Sequence, residues 1–175
     1  MIDARHYEAE ETLRDGRAIT IRAIRPEDGG SFADAFARLE HETIYTRVFA
    51  HKERLTDEEV RRLTAVDFAH EVALVATCAA QDGEAIIAGG RYIVCDTAGR
   101  QAEVAFTVRD DFQGLGIAGR LLEHLVRIGR DRGIAQFVAD VLPRNTAMLR
   151  VFARSGLPMT QSRADDVVHV SLALA

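Results

Sequence analysis

Apolar and polar residues alternate through residues 18–25. Ile19, Ile21 and Ala23 face one way and Thr20, Arg22 and Ile24 the other, which predicts a strand. The period then lengthens. Phe32, Phe36 and Leu39 recur at three- and four-residue spacing in "RPEDGGSFADAFARLEHET", after Pro26 at a first helical position and Glu27 and Asp28 in a first turn, so an amphipathic helix is expected. "LTDEEVRRLTAV" (55–66) sets Thr56 three residues before Glu59, a capping box, with Val60 and Leu63 as its apolar side. Three strands should follow in succession, over 71–80, 85–95 and 101–108. Asp82-Gly83 is a hairpin signal between the first two, and Gly89-Gly90 inside the second predicts a bulge. Ile117, Leu121, Leu125 and Ile128 make one helical stripe, broadened by Leu122 and Val126 and ended by Gly133. Residues 135–142 read as a strand, 144–156 as a helix running from an Asn145 N-cap to Gly156, and 166–175 as a closing strand.

The order β-α-α-β-β-β-α-β-α-β is that of a mixed α/β (α+β) domain with helices covering a sheet. A length of 175 residues suits one such domain. Residues 1–16 are polar and read as a loosely held N-terminal extension, which leaves 17–175 as the domain. Apolar residues at 47% and charged ones at 28% are the mixture of a soluble globular protein. No segment reaches the ~18 apolar residues of a membrane span, and the polar start has no signal-peptide core, so the expected place is the cytoplasm, without membrane attachment. A formal net charge of −5 argues against nucleic acid as a partner. Lys52 is the single lysine, every other basic side chain being arginine, which codon bias of a GC-rich genome accounts for. Cys78 and Cys95 fall in apolar runs and are expected as buried thiols. No CxxC or HxxxH spacing occurs, so no metal is expected.

One segment resists this purely structural account. Glycine costs about 1 kcal/mol relative to alanine inside a helix. Yet Gly114, Gly116, Ala118 and Gly119 crowd the place where the 117–132 helix must begin. A helix start leaves four N–H groups unpaired, and its dipole adds about half a positive charge. Glycines let those groups close round a phosphate with no Cβ in the way, so an anionic ligand is expected here. Gly114-Leu115-Gly116-Ile117-Ala118-Gly119 matches G-x-G-x-x-G. The dinucleotide fingerprint, however, follows an early strand of a βαβ unit, whereas three antiparallel strands precede this loop. GxxxxGK[ST] is absent.

With Gln113-x-x-Gly116-x-Ala118 in place of Gln/Arg-x-x-Gly-x-Gly/Ala, the sequence resembles the GNAT acyl-CoA N-acyltransferase superfamily from about residue 17 to its end. More narrowly, "AEVAFTVRDDFQGLGIAGRLLEHL", with "RLT…DFAHEVALVA" before it and "VLPRNTAMLRVFARSG" after it, is similar to the bacterial Pat-type protein lysine acetyltransferases. The resemblance implies a GNAT fold, a mostly antiparallel twisted sheet of about six or seven strands flanked by about four helices and splayed at the acyl-CoA site. It implies acetyl-CoA as co-substrate, its pyrophosphate held by Gln113, Gly114, Leu115, Gly116, Ile117, Ala118, Gly119 and Arg120. By the same resemblance, the backbone of Phe106, Thr107 and Val108 takes the pantetheine arm like an added strand, and Asn145 hydrogen-bonds that arm. The implied acceptor is a lysine on a partner protein, with AMP-forming acyl-CoA synthetases as the substrates of the resembling group.

Amine acylation requires a neutral amine, and a lysine side chain titrates near pH 10.4, about three units above neutrality. A base must take that proton. The resemblance assigns the task to Glu103, ten residues before Gln113; a solvated face residue of an alternating strand is the other reading. Asp110 and Asp111 fall in the loop and are expected as surface or helix-dipole residues. A backbone N–H near Phe106 would stabilise the oxyanion. Phe152 stands where many members of the superfamily carry a tyrosine that protonates the leaving thiolate, so protonation by solvent is expected. Cys95 as an acyl-carrying nucleophile is the rival scheme, and no neighbour in sequence lowers its pKa. His41 and His70 could line the acceptor groove, and Glu42, Asp67 and Glu71 could recruit a basic peptide, although exposed surface positions explain all five as well. A small amine as acceptor, or a non-catalytic acyl-CoA sensor, are the alternatives for the whole chain. Glu103 weighs against the sensor.

Overall fold

The computed structural model describes residues 1–37, 55–81 and 83–175. Leu39, His41, Glu42 and Asp82 lie outside the described residues. The alternating segments pair into one eight-stranded sheet of order β1-β2-β3-β4-β5-β6-β8-β7. The strands are β1 (Glu8–Thr12), β2 (Ala18–Ala23), β3 (Glu71–Ala80), β4 (Gly83–Val94), β5 (Gln101–Val108), β6 (Gln136–Val141), β7 (Met159–Ala164) and β8 (Val167–Ala173). The helices are α1 (Gly29–Ala37), α2 (Asp57–Thr64), α3 (Ile117–Asp131) and α4 (Thr146–Ala153). Every strand pair is antiparallel except β5 with β6. The mixed α/β class and mostly antiparallel sheet are those expected, and the Thr56–Glu59 capping box forms reciprocally at 3.1 Å in both directions.

The sheet has one strand more than the upper expectation of seven, and two strands beyond the six that periodicity marks, both too polar for it to reveal. β7 is exposed along nearly its whole length and closes on β8 through Asp165, whose φ of 54° marks a tight turn. β1 half-buries only Ala9 and Glu11, yet it pairs with β2 from Glu8↔Arg22 to Thr12↔Ala18. The reading of residues 1–16 as a loosely held extension is therefore corrected. Ala4 and Leu13 belong to the core, and a five-residue connection, Leu13–Arg17, with Arg14-Asp15-Gly16 at its tip, joins β1 to β2. Asp15-Gly16 was the available signal, of the same kind as Asp82-Gly83.

The bulge expected at Gly89-Gly90 is also misplaced. Both glycines keep continuous register with β3 and β5, and the register shifts instead at Ile87, opposite Ala76/Thr77. Gly90 is needed for close approach: a methyl there would meet the Phe106 ring at 2.9 Å. The helix expected from Pro26 is divided as well. Pro26–Asp28 forms a separate 3-10 turn because the buried Arg22 guanidinium draws both Asp28 oxygens to 2.8 Å. Burial alone would raise the Asp28 carboxyl; Arg22 and the Arg25 N–H more than offset that and hold it below the usual carboxylate range.

Successive strand residues point to opposite faces, which fixes the layers. Gly90 faces Leu125 of α3, while Arg91 reaches the Leu63 carbonyl of α2. The helices α3 and α4 thus cover one face, and α1 with α2 the other.

Candidate active site

Along β5, Ala102, Val104 and Phe106 are buried toward α3, and Glu103, Ala105 and Thr107 lie half-buried on the α1/α2 face. β6 pairs with β5 only across Gln101–Glu103, against Gln136–Val138. Beyond Glu103 the two strands part, so among the described residues no strand covers this edge of Val104–Val108. Such an edge can accept an extended ligand by main-chain hydrogen bonds. Phe106, Thr107 and Val108 all lie on this stretch, held from the other side by Gly90, Gly89 and Ala88. Across the opening, Asn145 caps α4 with its Oδ1 accepting the Met148 N–H at 3.1 Å, which leaves its amide NH2 as a donor. The Phe152 ring is buried and meets Phe106 edge-on, with centroids 6.1 Å apart. A buried phenyl ring carries no proton to give.

β5 then runs through a 3-10 turn, Asp110–Phe112, into the glycine loop. Arg109 pairs with Asp111 at 2.8 Å, so that carboxylate is committed locally. Gly114 and Gly116 have φ of 78° and 87°, the left-handed region where a Cβ is unfavourable. Gly116 is the N-cap of α3 and offers no side chain to its N–H groups. Leu115 and Ile117 pack into the core and anchor the loop from below. Among the described residues, the N–H groups of Gly114, Leu115, Gly116, Ile117, Ala118 and Gly119 find no acceptor within the protein. The geometry is that of an anion cradle. Two side chains are turned away from it. Gln113 donates to the Val108 carbonyl and to Asp110, both at 3.4 Å, and the Arg120 guanidinium lies between Glu11 at 3.8 Å and Glu123 at 3.6 Å. The Arg120 N–H already donates to the Gly116 carbonyl at 3.2 Å. Arg120 therefore faces β1.

On the opposite face Glu103 lines a cavity of about 440 Å³, together with Arg62, Leu63, Glu71, Arg91 and Cys95. Glu103 and Cys95 thus share one cavity although they are eight positions apart. Arg91, buried in its wall, pairs with Glu71 at 2.7 Å and donates to the Leu63 carbonyl at 3.1 Å. Burial pulls the Arg91 pKa down, and the Glu71 carboxylate opposes that shift. Sequence reasoning passed over Arg91; an arginine inside the apolar run "IIAGGRYIVC" was the available signal. The expectation of two buried thiols is corrected too: Cys78 is half-buried and Cys95 exposed, because β4 ends at Val94 and the chain turns outward there. Asp67 spends one oxygen on the N–H groups of Ala69, His70 and Glu71 at 2.9, 3.0 and 3.0 Å, building the turn into β3, while His70 projects into solvent.

The sheet thus opens between two parallel strands, with a glycine-rich helix start on one side and a carboxylate-lined cavity on the other. The acetyltransferase (GNAT) family matches residues 36–157, and the chain belongs to it. It is an acetyl-CoA-dependent acetyltransferase. It is 32% identical over 166 residues to acetyltransferase PA5475 of Pseudomonas aeruginosa, covering 94% of this chain and 88% of that protein. It is also 32% identical over 144 residues to acetyltransferase Pat of Mycolicibacterium smegmatis, covering 82% of this chain but 42% of that longer protein. The crystal structure of the GNAT domain of S. lividans PAT superimposes with a TM-score of 0.83 at 36% identity, covering 95% of this chain and 96% of that one. Among the described residues, no helix is long and apolar enough to cross a membrane.

Proposed function

We propose that the protein is a lysine Nε-acetyltransferase acting on other proteins, with acetyl-CoA as donor and Glu103 as general base. One observation carries the reading: the last residue of β5 that still pairs with β6 is Glu103, so the carboxylate stands at the point where the sheet opens. Bound acetyl-CoA supplies an activated thioester. The uncovered edge of Val104–Val108 aligns the pantetheine arm, and the cradle of Gly114–Gly119 fixes its phosphates. An N–H near Phe106, on the same edge, stabilises charge on the carbonyl oxygen. From the cavity, an incoming lysine reaches Glu103, which removes the ammonium proton. Phe152 offers no acid, so solvent protonates the departing thiolate.

Similarity to a domain of PAT over nearly the whole chain supports a protein acceptor, and the resemblance to the Pat-type group suggests AMP-forming acyl-CoA synthetases. The direct test is incubation with acetyl-CoA and a cell lysate, followed by mapping of acetylated lysines by mass spectrometry. Lysines modified only when enzyme is present are expected. If none appear while a polyamine, an amino acid or an aminoglycoside is acetylated, the acceptor is a small amine. Acyl-CoA binding with turnover of no amine would point to a sensor.

The position of Cys95 in the Glu103 cavity favours one rival strongly enough to need its own test. Two oxygens of Gln101, its carbonyl and its Oε1, each face the Cys95 sulfur at 3.5 Å. A thioester is already activated, so direct transfer within a complex of enzyme, donor and acceptor requires no covalent relay. Cys95→Ala and Cys78→Ala are each expected to retain most of the activity, and labelled acetyl-CoA alone should leave no label on either sulfur. A stoichiometric thioester on Cys95 that chases onto the amine would establish the covalent route instead.

A further inference from the structure

The N-terminal hairpin ends beside the glycine loop. Its tip is the Arg14-Asp15-Gly16 connection, where the Gly16 N–H donates to the Leu13 carbonyl at 2.9 Å and the Leu13 N–H to Arg17 at 2.8 Å. Several interactions fix this tip against the domain. Leu13 is buried. Arg17 is pinned by Asp15 at 2.7 Å and lies over the Phe112 ring at 4.6 Å from its centroid. Further along β1, Glu11 accepts from or pairs with His124 of α3 at 2.7 Å, and the other ring nitrogen of His124 meets the Tyr7 hydroxyl at 2.5 Å. The hairpin is thus clamped onto α3 and onto the turn that leads into the loop.

That clamp leaves Arg14 against Gly116. A methyl placed on Gly116 would come within 3.5 Å of the Arg14 Nε and 3.8 Å of its Cζ. Among the described residues, the guanidinium has neither a hydrogen bond nor an ion pair. A cation at the N-terminus of a helix faces the positive end of its dipole, an unfavourable place unless an anion is shared between them. Arg17, three residues on, has a carboxylate partner, and Arg120 lies toward Glu11 and Glu123. Arg14 is left as a cation beside Gly116, one of the six residues whose N–H groups are unpartnered.

We infer that Arg14 is a ligand of the acyl-CoA pyrophosphate, the side-chain cation of a site whose other donors are backbone. The inference rests on reading Gly114–Gly119 as the acyl-CoA phosphate cradle. It extends that reading to a residue outside the segment matched by the family, residues 36–157. A guanidinium presents a planar fork of donors that fits two phosphate oxygens at once, and that contact is charge-assisted. The N-terminal hairpin is then a wall of the donor site, and Arg120, which the resemblance assigns to the pyrophosphate, lies on its Glu11 side.

Titration calorimetry with CoA and with 3′-dephospho-CoA tests this on the full chain. Arg14→Gln is expected to weaken both ligands alike, by about tenfold, the usual worth of one charge-assisted hydrogen bond. Arg14→Lys should recover part of the loss, and the difference from the unmodified protein should shrink as salt is added. Arg163→Gln, which removes the same charge from the exposed edge strand β7, should bind as the unmodified protein does. Equal affinity of Arg14→Gln and the unmodified protein for CoA would overturn the inference and leave the cradle standing. Weakening of CoA alone would overturn it as well, placing Arg14 on the 3′-phosphate. If the unmodified protein binds neither ligand, the cradle reading itself fails. Arg14 is exposed in a turn, so an unchanged melting curve should accompany each result.

Discussion

Glu103→Gln keeps acetyl-CoA affinity and lowers kcat/KM by roughly 10²–10⁴, the range for a lost general base. Glutamine preserves the shape of the side chain and its place in the cavity wall but cannot accept the ammonium proton. The register across Ile93↔Glu103↔Val138 is set by backbone pairing on both sides, so the substitution should leave the strand in place. Raising the pH should restore part of the rate, because more of the acceptor is then neutral without help. The pH profile separates this from mere loss of a cavity contact, which would lower activity by the same factor at every pH. A variant as active as the unmodified enzyme at neutral pH would assign Glu103 to the strand face and leave the proton to another group.

Gly116→Val abolishes measurable acyl-CoA binding while the domain remains folded. Two effects act together. Gly116 has φ of 87°, a conformation that costs any residue with a Cβ about 1–2 kcal/mol and a β-branched one more. Relief of that strain rotates the N–H groups around it, and each charge-assisted hydrogen bond lost from the cradle weakens binding about tenfold or more. The added side chain also enters the space beside Arg14. Stability should fall by little more than the strain itself, because Leu115 and Ile117 still anchor the loop in the core. Calorimetry together with circular dichroism distinguishes the outcomes. Native ellipticity with unchanged CoA affinity would place the phosphates elsewhere.

The hydrophobic pattern alone places most of the scaffold. Period-two segments become β2 to β6 and β8, the Ile117–Ile128 stripe becomes α3, and the Thr56–Glu59 box starts α2, because burial on one face imposes a spacing that local sequence must obey. The glycine loop is equally legible. Left-handed backbone and unhindered N–H groups can be had only from particular residues at particular offsets, so Gly114 and Gly116 announce the cradle without any knowledge of the fold. What escaped were strands whose side chains carry no apolar alternation. β1 and β7 are polar edge strands held by pairing with β2 and β8, and no periodicity records a backbone ladder.

For the site, the sequence by itself determined a glycine-rich helix start, a carboxylate ten residues before Gln113 on a strand, and a family. Only the tertiary structure decided who stands opposite whom. It ends the β5/β6 pairing at Glu103, brings Cys95 and Arg91 into that residue's cavity, turns Arg120 toward β1 and swings Arg14 over Gly116 from the far end of the chain. The reason is physical: helix starts and turns are settled by neighbours within a few residues, whereas the direction of an arginine or the depth of a thiol depends on surfaces that meet only when the sheet has closed over the helices.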